Sequence, residues 1–514
     1  MWRSMTAVGR RTLLVLSTVS CVAIGCREQR APLLDQLVVA YPNGPSDLVS
    51  YLSADETANS VLRNAYEPLV DLDSNLHIVP CLATTWYNPD DNSWVFQLRQ
   101  DVRLHDGRLL TAYQVAEFLN LARTDARSVR VPSNLISAIE APDARTVVFR
   151  TSRPVGWLPT QLARLLISVP GKNAEAPPVG TGPYVVQSWT PRGDTVLETS
   201  AAHRDGAPPI KRLVFRVIPD AHEAVRQLLE GRIHLMLDAP LDAWPRLVGA
   251  PGVRTFGQPG LRVVFLGFNT LRPESPLRDA RVRRAIALAI DRRAILDGPL
   301  KYGGEPIAEL VPPEVFGHHG GLAELPFDPG ASRQLLAQAR PGPPLSLGLA
   351  YEPGRYPGID LVASMIAANL KAVGVEVRSA SLASQSLRNR LDAPQGADLF
   401  LLGWLHSAGD AVGSFQYLVH SPAGGSTGAL SGYSNPEVDR LLDEAAGPTS
   451  LSGRLAMLRQ VAEILSREVA VVPLYRQRDR YAFAEDLHFT PRRDRRIRAF
   501  EIHWHAGDRR SPPG

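Results

Sequence analysis

The sequence predicts an α/β fold in both halves of the chain. Its 514 residues correspond to about three compact units of ~150 residues, so a single small core is disfavoured. Apolar residues make up 44% and charged residues 21%, which is typical of soluble globular proteins rather than collagen-like, disordered or polytopic membrane chains. Segments with the two-residue period of strands alternate with segments of helical period, and this order predicts sheets covered by helices.

Three short segments show the alternation of half-buried strands. Apolar side chains at every second position share one face in each of them: Trp94, Phe96 and Leu98; Leu213, Phe215 and Val217; and Val375 with Val377.

A helical period marks several intervening segments. One apolar stripe is formed by Val282, Ala285, Ile286, Ala289 and Ile290. The arginines of this segment fall off the stripe: Arg283, Arg284 and Arg292. Two later helices are predicted, one capped by Asn435 with Pro436 at its first position, and one through Leu455, Leu458, Val461 and Leu465.

Strand–helix–strand units are predicted from the turn residues between these segments. Asp220 and Glu223 have the spacing of a capping box at a helix start, and Gly231 ends that helix before the apolar residues 233–237. The same order recurs around Gly374 in the second half. Such repeats are typical of βαβ units.

The N-terminus has the three parts of a secretory signal. Residues 1–11 contain three arginines and no acidic residue, residues 13–24 are almost wholly apolar, and small residues precede Cys26. The apolar run is shorter than the ~20 residues that span a bilayer as a helix. The segment resembles a bacterial lipoprotein signal, which implies removal of residues 1–25 and acylation of Cys26. An ordinary signal peptide is the main alternative, and Arg10-Arg11 only weakly suggests a twin-arginine signal.

Charge and cysteine content exclude little else. The 56 basic and 52 acidic residues are interspersed, so the sequence offers no clustered phosphate-binding face and predicts no nucleic-acid partner. Cys21 falls in the signal and Cys26 at the lipid, which leaves Cys81 without a disulfide partner. A packing role for Cys81 is favoured over a nucleophilic one because no catalytic partner is evident around it.

Ordered sequence blocks then extend along the mature chain. They include Tyr66-Glu67-Pro68-Leu69-Val70, residues 78–86 and 104–107, Gly180-Thr181-Gly182-Pro183-Tyr184, residues 268–270 and 282–291, Gly403-Trp404, residues 432–439, and Val472-Pro473-Leu474-Tyr475. In this order they resemble the family 5 extracellular solute-binding proteins, the peptide and nickel receptors of ABC importers. The blocks cover residues 60 to 480.

The resemblance implies a two-lobed periplasmic-binding-protein-like fold of type II, similar to cluster C, with an extra subdomain on the first lobe. Carried over to this chain, the first lobe comprises residues 26–55, 175–260 and 478–514. The subdomain comprises residues 56–174, and the second lobe residues 261–477. Two strands that cross between the lobes would form the hinge on which they close over a ligand.

The resemblance also points to ligand-binding residues after the Gly-Trp pair. In peptide-binding relatives, an Asp three residues beyond the Trp holds the ligand ammonium, and here that position is Ser407. The second Asp of the loop is retained as Asp410. A hydroxyl contributes about 1 kcal/mol and cannot neutralise an ammonium. Either Asp410 turns toward the ligand or the ligand lacks the free amine, and we favour a changed ligand.

Five further residues are candidates for ligand binding. Trp404 is interpreted as the cleft floor, with a core tryptophan as the alternative. Tyr41 and Asn43 follow the first strand and could present backbone to the ligand, although a plain turn fits equally. Arg355 could meet a carboxylate, but a solvated arginine is the more common case. His406 could serve a polar ligand or a metal, although a lone histidine usually does neither.

Several motifs resemble metal sites but are better explained as turns or connectors. His105-Asp106 lies in the turn after a strand and has no second metal-ligating pair nearby. Residues 71–75 lack the Gly and distal Glu of a calcium loop, so a hairpin turn is favoured. His318-His319, followed by two glycines, suits a connector better than a zinc site. The sequence predicts no catalytic residues, no metal and no cofactor.

The sequence thus predicts a monomeric lipoprotein on the extracytoplasmic side of a membrane. It would capture an oligopeptide or a related small solute and deliver it to an ABC permease and ATPase. An alternative is a solute-binding sensor or envelope chaperone, which neighbouring genes for a histidine kinase rather than a permease would indicate. A secreted hydrolase using Cys81 or His105 is strongly disfavoured.

Overall fold

The computed structural model describes residues 35–52, 56–128, 135–171, 177–340, 342–381, 397–421, 432–447 and 450–505. The predicted signal segment 1–25 and Cys26 lie outside these residues. Within the described ranges, no helix combines the length and the apolar character needed to cross a lipid bilayer.

The described part of the chain contains both strands and helices, as the periodicity predicts, although several strands or helices follow one another in places. The strands are β1 Gln36–Tyr41, β2 Glu67–Pro68, β3 Val70–Leu72, β4 Ile78–Pro80, β5 Ala83–Asp90, β6 Ser93–Leu98, β7 Ile136–Glu140, β8 Thr146–Thr151, β9 Leu166–Ile167, β10 Tyr184–Trp189, β11 Thr195–Thr199, β12 Arg212–Val217, β13 Leu235–Leu237, β14 Val253–Phe268, β15 Gly304–Glu305, β16 Leu345–Tyr351, β17 Val375–Ser381, β18 Leu399–Leu405, β19 Val471–Ala484, β20 Leu487–His488 and β21 His503–Trp504. The helices are α1 Glu56–Leu62, α2 Ala112–Thr124, α3 Leu158–Leu162, α4 Ala221–Leu229, α5 Trp244–Leu247, α6 Ala280–Ala289, α7 Arg292–Asp297, α8 Pro329–Ala339, α9 Ile359–Ala372, α10 Ala411–Leu418, α11 Pro436–Ala446 and α12 Leu451–Glu468.

One large sheet runs through the molecule in the order β10-β11-β12-β1-β13-β19-β14-β18-β16-β17, with β15 added on β19. The long strands β14 and β19 pair with each other along most of their length. The C-terminal part of β19 also pairs with β13, whereas the C-terminal part of β14 pairs with β18. These two strands therefore connect the strands of the first half of the chain with those of the second.

The pairing of β14 with β19 is interrupted near its middle. Pro259 lies opposite Arg478, and the next partners are Val263 and Arg476, so three residues of β14 face one residue of β19. A bulge of this kind bends a strand and increases its local twist. Gly260 at this point has no room for a side chain, because a Cβ there would lie 2.5 Å from the Asp479 carboxylate. The two connecting strands thus bend where the predicted lobes meet.

The predicted strand–helix–strand units are confirmed. Strand β1 pairs in parallel with both β12 and β13, and α4 links these two strands. Strands β16 and β17 pair in parallel around α9. Asp220 caps α4 by accepting hydrogen bonds from the backbone of His222 and Glu223. The predicted capping box was half wrong, because the Glu223 side chain instead accepts from Arg226 and Gln227.

The apolar stripe of α6 is buried as predicted, but two arginines beside it are also buried. Arg283 and Arg292 are only 6% and 7% exposed. Arg283 donates to the carbonyl of Glu468 at 2.6 Å, and Arg292 donates to the carbonyls of Leu325 at 2.7 Å and Pro473 at 3.0 Å. Guanidinium groups can be buried here because backbone carbonyls satisfy their donors.

A separate four-stranded antiparallel sheet lies within the predicted subdomain, in the order β5-β6-β8-β7. Its strand β6 buries Trp94, Phe96 and Leu98, as their alternation predicts. A single apolar cluster contains Phe96 and Phe149 of this sheet together with Leu441 and Val461 of α11 and α12. The subdomain and the second half of the chain therefore share packed apolar surface. The lobe boundaries themselves stay predictions.

Candidate functional site

The end of β18 and the loop that follows it carry four of the predicted site residues. Trp404 lies near the end of β18, opposite Val263 of β14, and is half-buried. Its ring stacks on Tyr417 of α10 with centroids 4.8 Å apart, and its Nε1 donates to Ser414 Oγ at 2.9 Å. Helix α10 therefore fixes the position of the indole. Trp404 also contacts the main apolar cluster, so it combines a core role with a partly open face.

His406 is buried beneath this loop. It is 1% exposed, its backbone N–H donates to the Leu261 carbonyl at 3.1 Å, and its Nδ1 lies 3.1 Å from Ser414 Oγ. Burial lowers the pKa of the imidazole to about 3, so the ring is neutral at physiological pH. His406 therefore links the loop to the bend in β14 and supplies no charge.

Ser407 and Asp410 present no free carboxylate. Ser407 is 8% exposed. The Asp410 carboxylate accepts from the backbone N–H of Val412 at 2.9 Å, which caps α10, and it forms an ion pair with Arg454. The Arg454 guanidinium in turn lies 5.1 Å from the centre of the Phe316 ring. Turning Asp410 toward a ligand would break both the cap and this ion pair.

Tyr41 and Asn43 lie at the end of β1. Tyr41 is buried, and burial raises the pKa of its hydroxyl, so it stays protonated. Asn43 is exposed, and its Oδ1 accepts from Thr57 Oγ1 at 3.2 Å. This bond ties the end of β1 to α1, whose first residue is Glu56.

Arg355 is linked to the Gly-Trp pair at residues 403–404 through Tyr356. It is exposed, donates to Glu352 at 2.9 Å and to Tyr356 Oη at 3.2 Å. The Tyr356 hydroxyl donates to the carbonyl of Gly403 at 3.2 Å and accepts from its N–H at 3.0 Å. Arg355 is thus one side chain removed from the Gly-Trp pair.

A largely buried charge network was missed by sequence reasoning; Arg495 and Asp479 in it are buried, whereas Glu56 and Asp238 are partly exposed. We name it the junction network: Glu56, Asp238, Arg262, Asp479, Arg480 and Arg495. Arg495 is 3% exposed and forms ion pairs with the carboxylates of Glu56, Asp238 and Asp479. Arg262 donates to Glu56 at 2.6 Å and to Gln477 at 3.2 Å. The network therefore lies where β14, β19 and α1 meet.

The electrostatics of the junction network follow from its burial. Burial raises the pKa of Asp479 to about 6, even though Arg495 lowers it. For Glu56 and Asp238, burial is the largest single effect and favours the neutral acid, but the arginines around them, Arg495 first, together outweigh it and lower the pKa of each. The cluster of arginines at residues 492–498 was the feature of the sequence that could have indicated this network. Its partner Glu56 lies more than 400 residues from Arg495 along the chain.

Cys81 and His105, the candidate residues of the disfavoured hydrolase, lie in environments that do not activate them for catalysis. Cys81 is a buried free thiol, 3.5 Å from Glu67 Oε1, and burial together with that carboxylate raises its pKa. A catalytic thiol needs the opposite shift. The His105 ring lies 3.1 Å from the Gly182 carbonyl and accepts from the Gly180 N–H at 3.3 Å, and burial lowers its pKa.

The predicted subdomain contacts the second half of the chain beside this site. The Gly156 N–H donates to the Ala446 carbonyl at 2.7 Å. Arg153 forms an ion pair with Asp443 at 2.5 Å and donates to Gln416 at 3.2 Å. These contacts join the segment 153–156 to α10 and α11.

Comparison with known proteins gives one consistent result. Residues 77–426 match the family model described as bacterial extracellular solute-binding proteins, family 5 Middle. The chain is 25% identical over 460 residues to heme-binding protein A of Haemophilus influenzae, covering 81% of this chain and 82% of that protein. It is 24% identical over 476 residues to the probable D,D-dipeptide-binding periplasmic protein DdpA of Escherichia coli, covering 88% and 90%.

Solved structures share the fold. The periplasmic binding protein DppA of Helicobacter pylori, in complex with the peptide STSA, matches with a TM-score of 0.80 at 21% identity, covering 91% of this chain and 98% of that one. The oligopeptide-binding protein AppA of Bacillus subtilis, in complex with a nonapeptide, matches with a TM-score of 0.79 at 21% identity, covering 92% and 99%. The fold is therefore that of a two-lobed periplasmic binding protein. The chain belongs to the bacterial extracellular solute-binding proteins of family 5, the substrate-binding components of ABC importers for peptides and other solutes.

Proposed function

We propose that this protein is a lipid-anchored receptor that captures an oligopeptide or a related small solute and delivers it to an ABC permease. Family membership supports the receptor role. The small residues before Cys26 support acylation at that cysteine. Replacing Cys26 with Ser should release the protein from the membrane fraction, and intact-mass analysis of the native N-terminus should find the diacylglyceryl group. A native protein without that added mass would contradict the anchor.

Closure in this receptor is a bend of two strands. The register jump between Pro259 and Val263 gives β14 and β19 a common flexing point, and few residues are needed for a hinge. A ligand that favours the closed state must gain differential affinity from contacts made on both sides of the cleft. Trp404 and Ser407 would contribute from the second lobe, with Tyr41 and Asn43 contributing from the first.

The cargo of this receptor is not anchored through a free α-amine. The observation that carries this inference is the charge of the loop after β18. Ser407 replaces the carboxylate, His406 is neutral, and Asp410 is held by Arg454 and by the α10 cap. A buried ammonium without a partner costs several kcal/mol. Ligands with a blocked or absent amine avoid that cost.

Restoring the carboxylate tests this inference. Ser407→Asp should raise affinity for free-amine peptides at least tenfold, because a hydrogen bond to a charged group contributes about 1.5–3 kcal/mol. N-acetylated versions of the same peptides should gain nothing. Ser407→Asn is the matched control, since it adds similar volume without charge. Unchanged affinity in calorimetry, or an equal gain with Ser407→Asn, would contradict the role given to position 407.

Native mass spectrometry identifies the cargo directly. Protein purified from its own source under mild conditions should retain a co-purified small molecule, whose mass gives its chemical class. Cargo with a free α-amine in every ligand detected would count against the proposed class. Co-purification or gene adjacency with a permease and an ATPase tests delivery, whereas adjacency with a histidine kinase would favour the sensor.

A further inference from the structure

The short hairpin formed by β20 and β21 has one buried face and one exposed face. Leu487 lies opposite Trp504, and His488 lies opposite His503. Leu487 is fully buried and Trp504 packs against the same apolar cluster. Because side chains alternate along a strand, the neighbours of these two residues point away from the core.

Four side chains of types that can bind a metal share the exposed face. The His505 N–H donates to the Asp486 carbonyl at 2.9 Å, so the pairing continues by one residue and sets Asp486 opposite His505. Asp486 and His488 are two residues apart on one strand, and His503 and His505 are two apart on the other. The result is a two-by-two patch of Asp486, His488, His503 and His505, and all four residues are exposed.

The three imidazole rings of this patch are mutual neighbours. The centroids of His488 and His503 are 4.3 Å apart with their planes at 16°, and His505 lies 5.5 Å from His488 and 6.4 Å from His503. In the described part of the chain, none of these rings forms a hydrogen bond or an ion pair. Among residues 35–505 as far as they are described, no carboxylate is paired with their nitrogens.

The distances between the ring centres lie on either side of the value for a chelating pair, but the stacked rings of His488 and His503 must turn before both can bind one ion. A metal–nitrogen distance of about 2.0–2.1 Å puts the centre of a ligating imidazole about 3.2 Å from the ion, so two such rings at a tetrahedral angle have centres about 5 Å apart. Among the described residues, no group of three or more His, Cys, Asp or Glu side chains is placed to hold a metal ion as it stands, so this patch must change rotamers to bind one. Exposed side chains change rotamer within nanoseconds, so the rings can turn inward when an ion arrives.

The geometry points to a divalent transition-metal site formed by Asp486, His488, His503 and His505 on the outer face of this hairpin. Imidazole with one carboxylate is a ligand set that suits Zn²⁺, Ni²⁺ and Cu²⁺ rather than Ca²⁺ or Mg²⁺. The site is separate from the cleft, because Leu487 and Trp504 turn the hairpin's other face toward the lobe core. It would bind metal whatever the cleft holds.

Calorimetry with NiCl2 and with ZnCl2 on the tag-free mature protein tests the site at pH 7.5. We expect one ion per chain. His503→Ala should weaken binding at least about tenfold, since even loss of an outer partner of a metal ligand costs about 10–100-fold. His222→Ala is the matched control, because His222 is also exposed but lies on α4.

A second measurement identifies the ligands. Paramagnetic Ni²⁺ should broaden the ring resonances of His488, His503 and His505 before those of His222. The variants should melt within about 2 °C of the wild type, because the replaced side chains are exposed. Absence of binding at 1 mM metal would overturn the proposal, as would binding that survives the double substitution of His488 and His503 with Ala. Calorimetry with peptide cargo reports on the cleft independently, so the two proposals fail separately.

Discussion

Replacing Arg495 with Met probes the junction network. The side chain is 3% exposed and its guanidinium meets three carboxylates, of which Asp479 is fully buried. The variant removes the cation and retains most of the volume, so it leaves Glu56, Asp238 and Asp479 with less counter-charge. Removing one partner of a buried ion pair costs about 3–5 kcal/mol. We therefore expect the free energy of unfolding at pH 7.5 to fall by about 3–5 kcal/mol.

The pH dependence of that loss has a definite sign. Arg495 lowers the folded-state pKa of Glu56 and Asp238, so these groups stabilise the wild type above their unfolded pKa near 4, and that contribution disappears as the pH falls. The contribution of Asp479 to stability depends on pH in the opposite direction. Its folded pKa is raised to about 6, so it favours folding at low pH and opposes it as the pH rises through 6. Without Arg495 all three carboxyls protonate more readily, and the deficit of the variant should shrink between pH 7.5 and pH 5.

Urea denaturation at pH 7.5 and pH 5 measures both quantities. The matched control is Arg254→Met, which replaces an exposed arginine on β14 and should change the free energy of unfolding by less than about 0.5 kcal/mol. A deficit below about 1 kcal/mol for Arg495→Met, or one that does not change with pH, would refute the role assigned to the network.

Two further predictions concern Cys81 and the contact between subdomain and second lobe. In a soluble chain that lacks residues 1–26, Cys81 should not react with Ellman's reagent at pH 8 until urea unfolds the protein, because burial and Glu67 raise its pKa; fast labelling of the folded protein would contradict this. Arg153→Ala should accelerate amide exchange in α11 while lowering stability by less than about 1 kcal/mol, because its ion pair with Asp443 is largely exposed. An unchanged rate of amide exchange in α11 would show that the Arg153–Asp443 pair does not hold the predicted subdomain against α11.

Much of the fold could be predicted because it is encoded locally. The alternation of Trp94, Phe96 and Leu98 predicted β6, and the cap at Asp220 predicted the start of α4. Both signals involve residues a few positions apart, whose faces and backbone bonds follow from strand and helix geometry. The order of the elements then determined the parallel strand pairs.

The buried charges could not be predicted because their partners are distant in sequence. Arg283 reads as a surface residue by periodicity, yet its donors meet carbonyls of residues 468 and 469 at the end of α12. Arg495 has a positive φ of 62° and meets Glu56 near the other end of the chain. Neither partner can be inferred from neighbours in sequence, and a basic run such as residues 492–498 is usually a solvated surface.

The same limit applies to the ligand loop. The family resemblance pointed to Ser407 and Asp410 as candidates, but only the structure shows that Arg454 and the cap of α10 use the Asp410 carboxylate. The choice between a turned Asp410 and a changed ligand depends on that contact, since freeing Asp410 would cost both an ion pair and a helix cap.

Charges are matched both in the junction network and in the loop after β18. In the junction network, three guanidinium groups of Arg262, Arg480 and Arg495 lie among the three carboxyl groups of Glu56, Asp238 and Asp479, so its charges are matched within the protein. The loop after β18 contributes the neutral imidazole of His406, the hydroxyl of Ser407 and the carboxylate of Asp410, which is already paired. If the proposed cleft closes on these residues, a cationic group that enters it would have to take a counter-charge from an existing pair. A neutral or blocked group can bind to the Trp404 ring and the Ser407 hydroxyl without that exchange, and this difference is what Ser407→Asp should reverse.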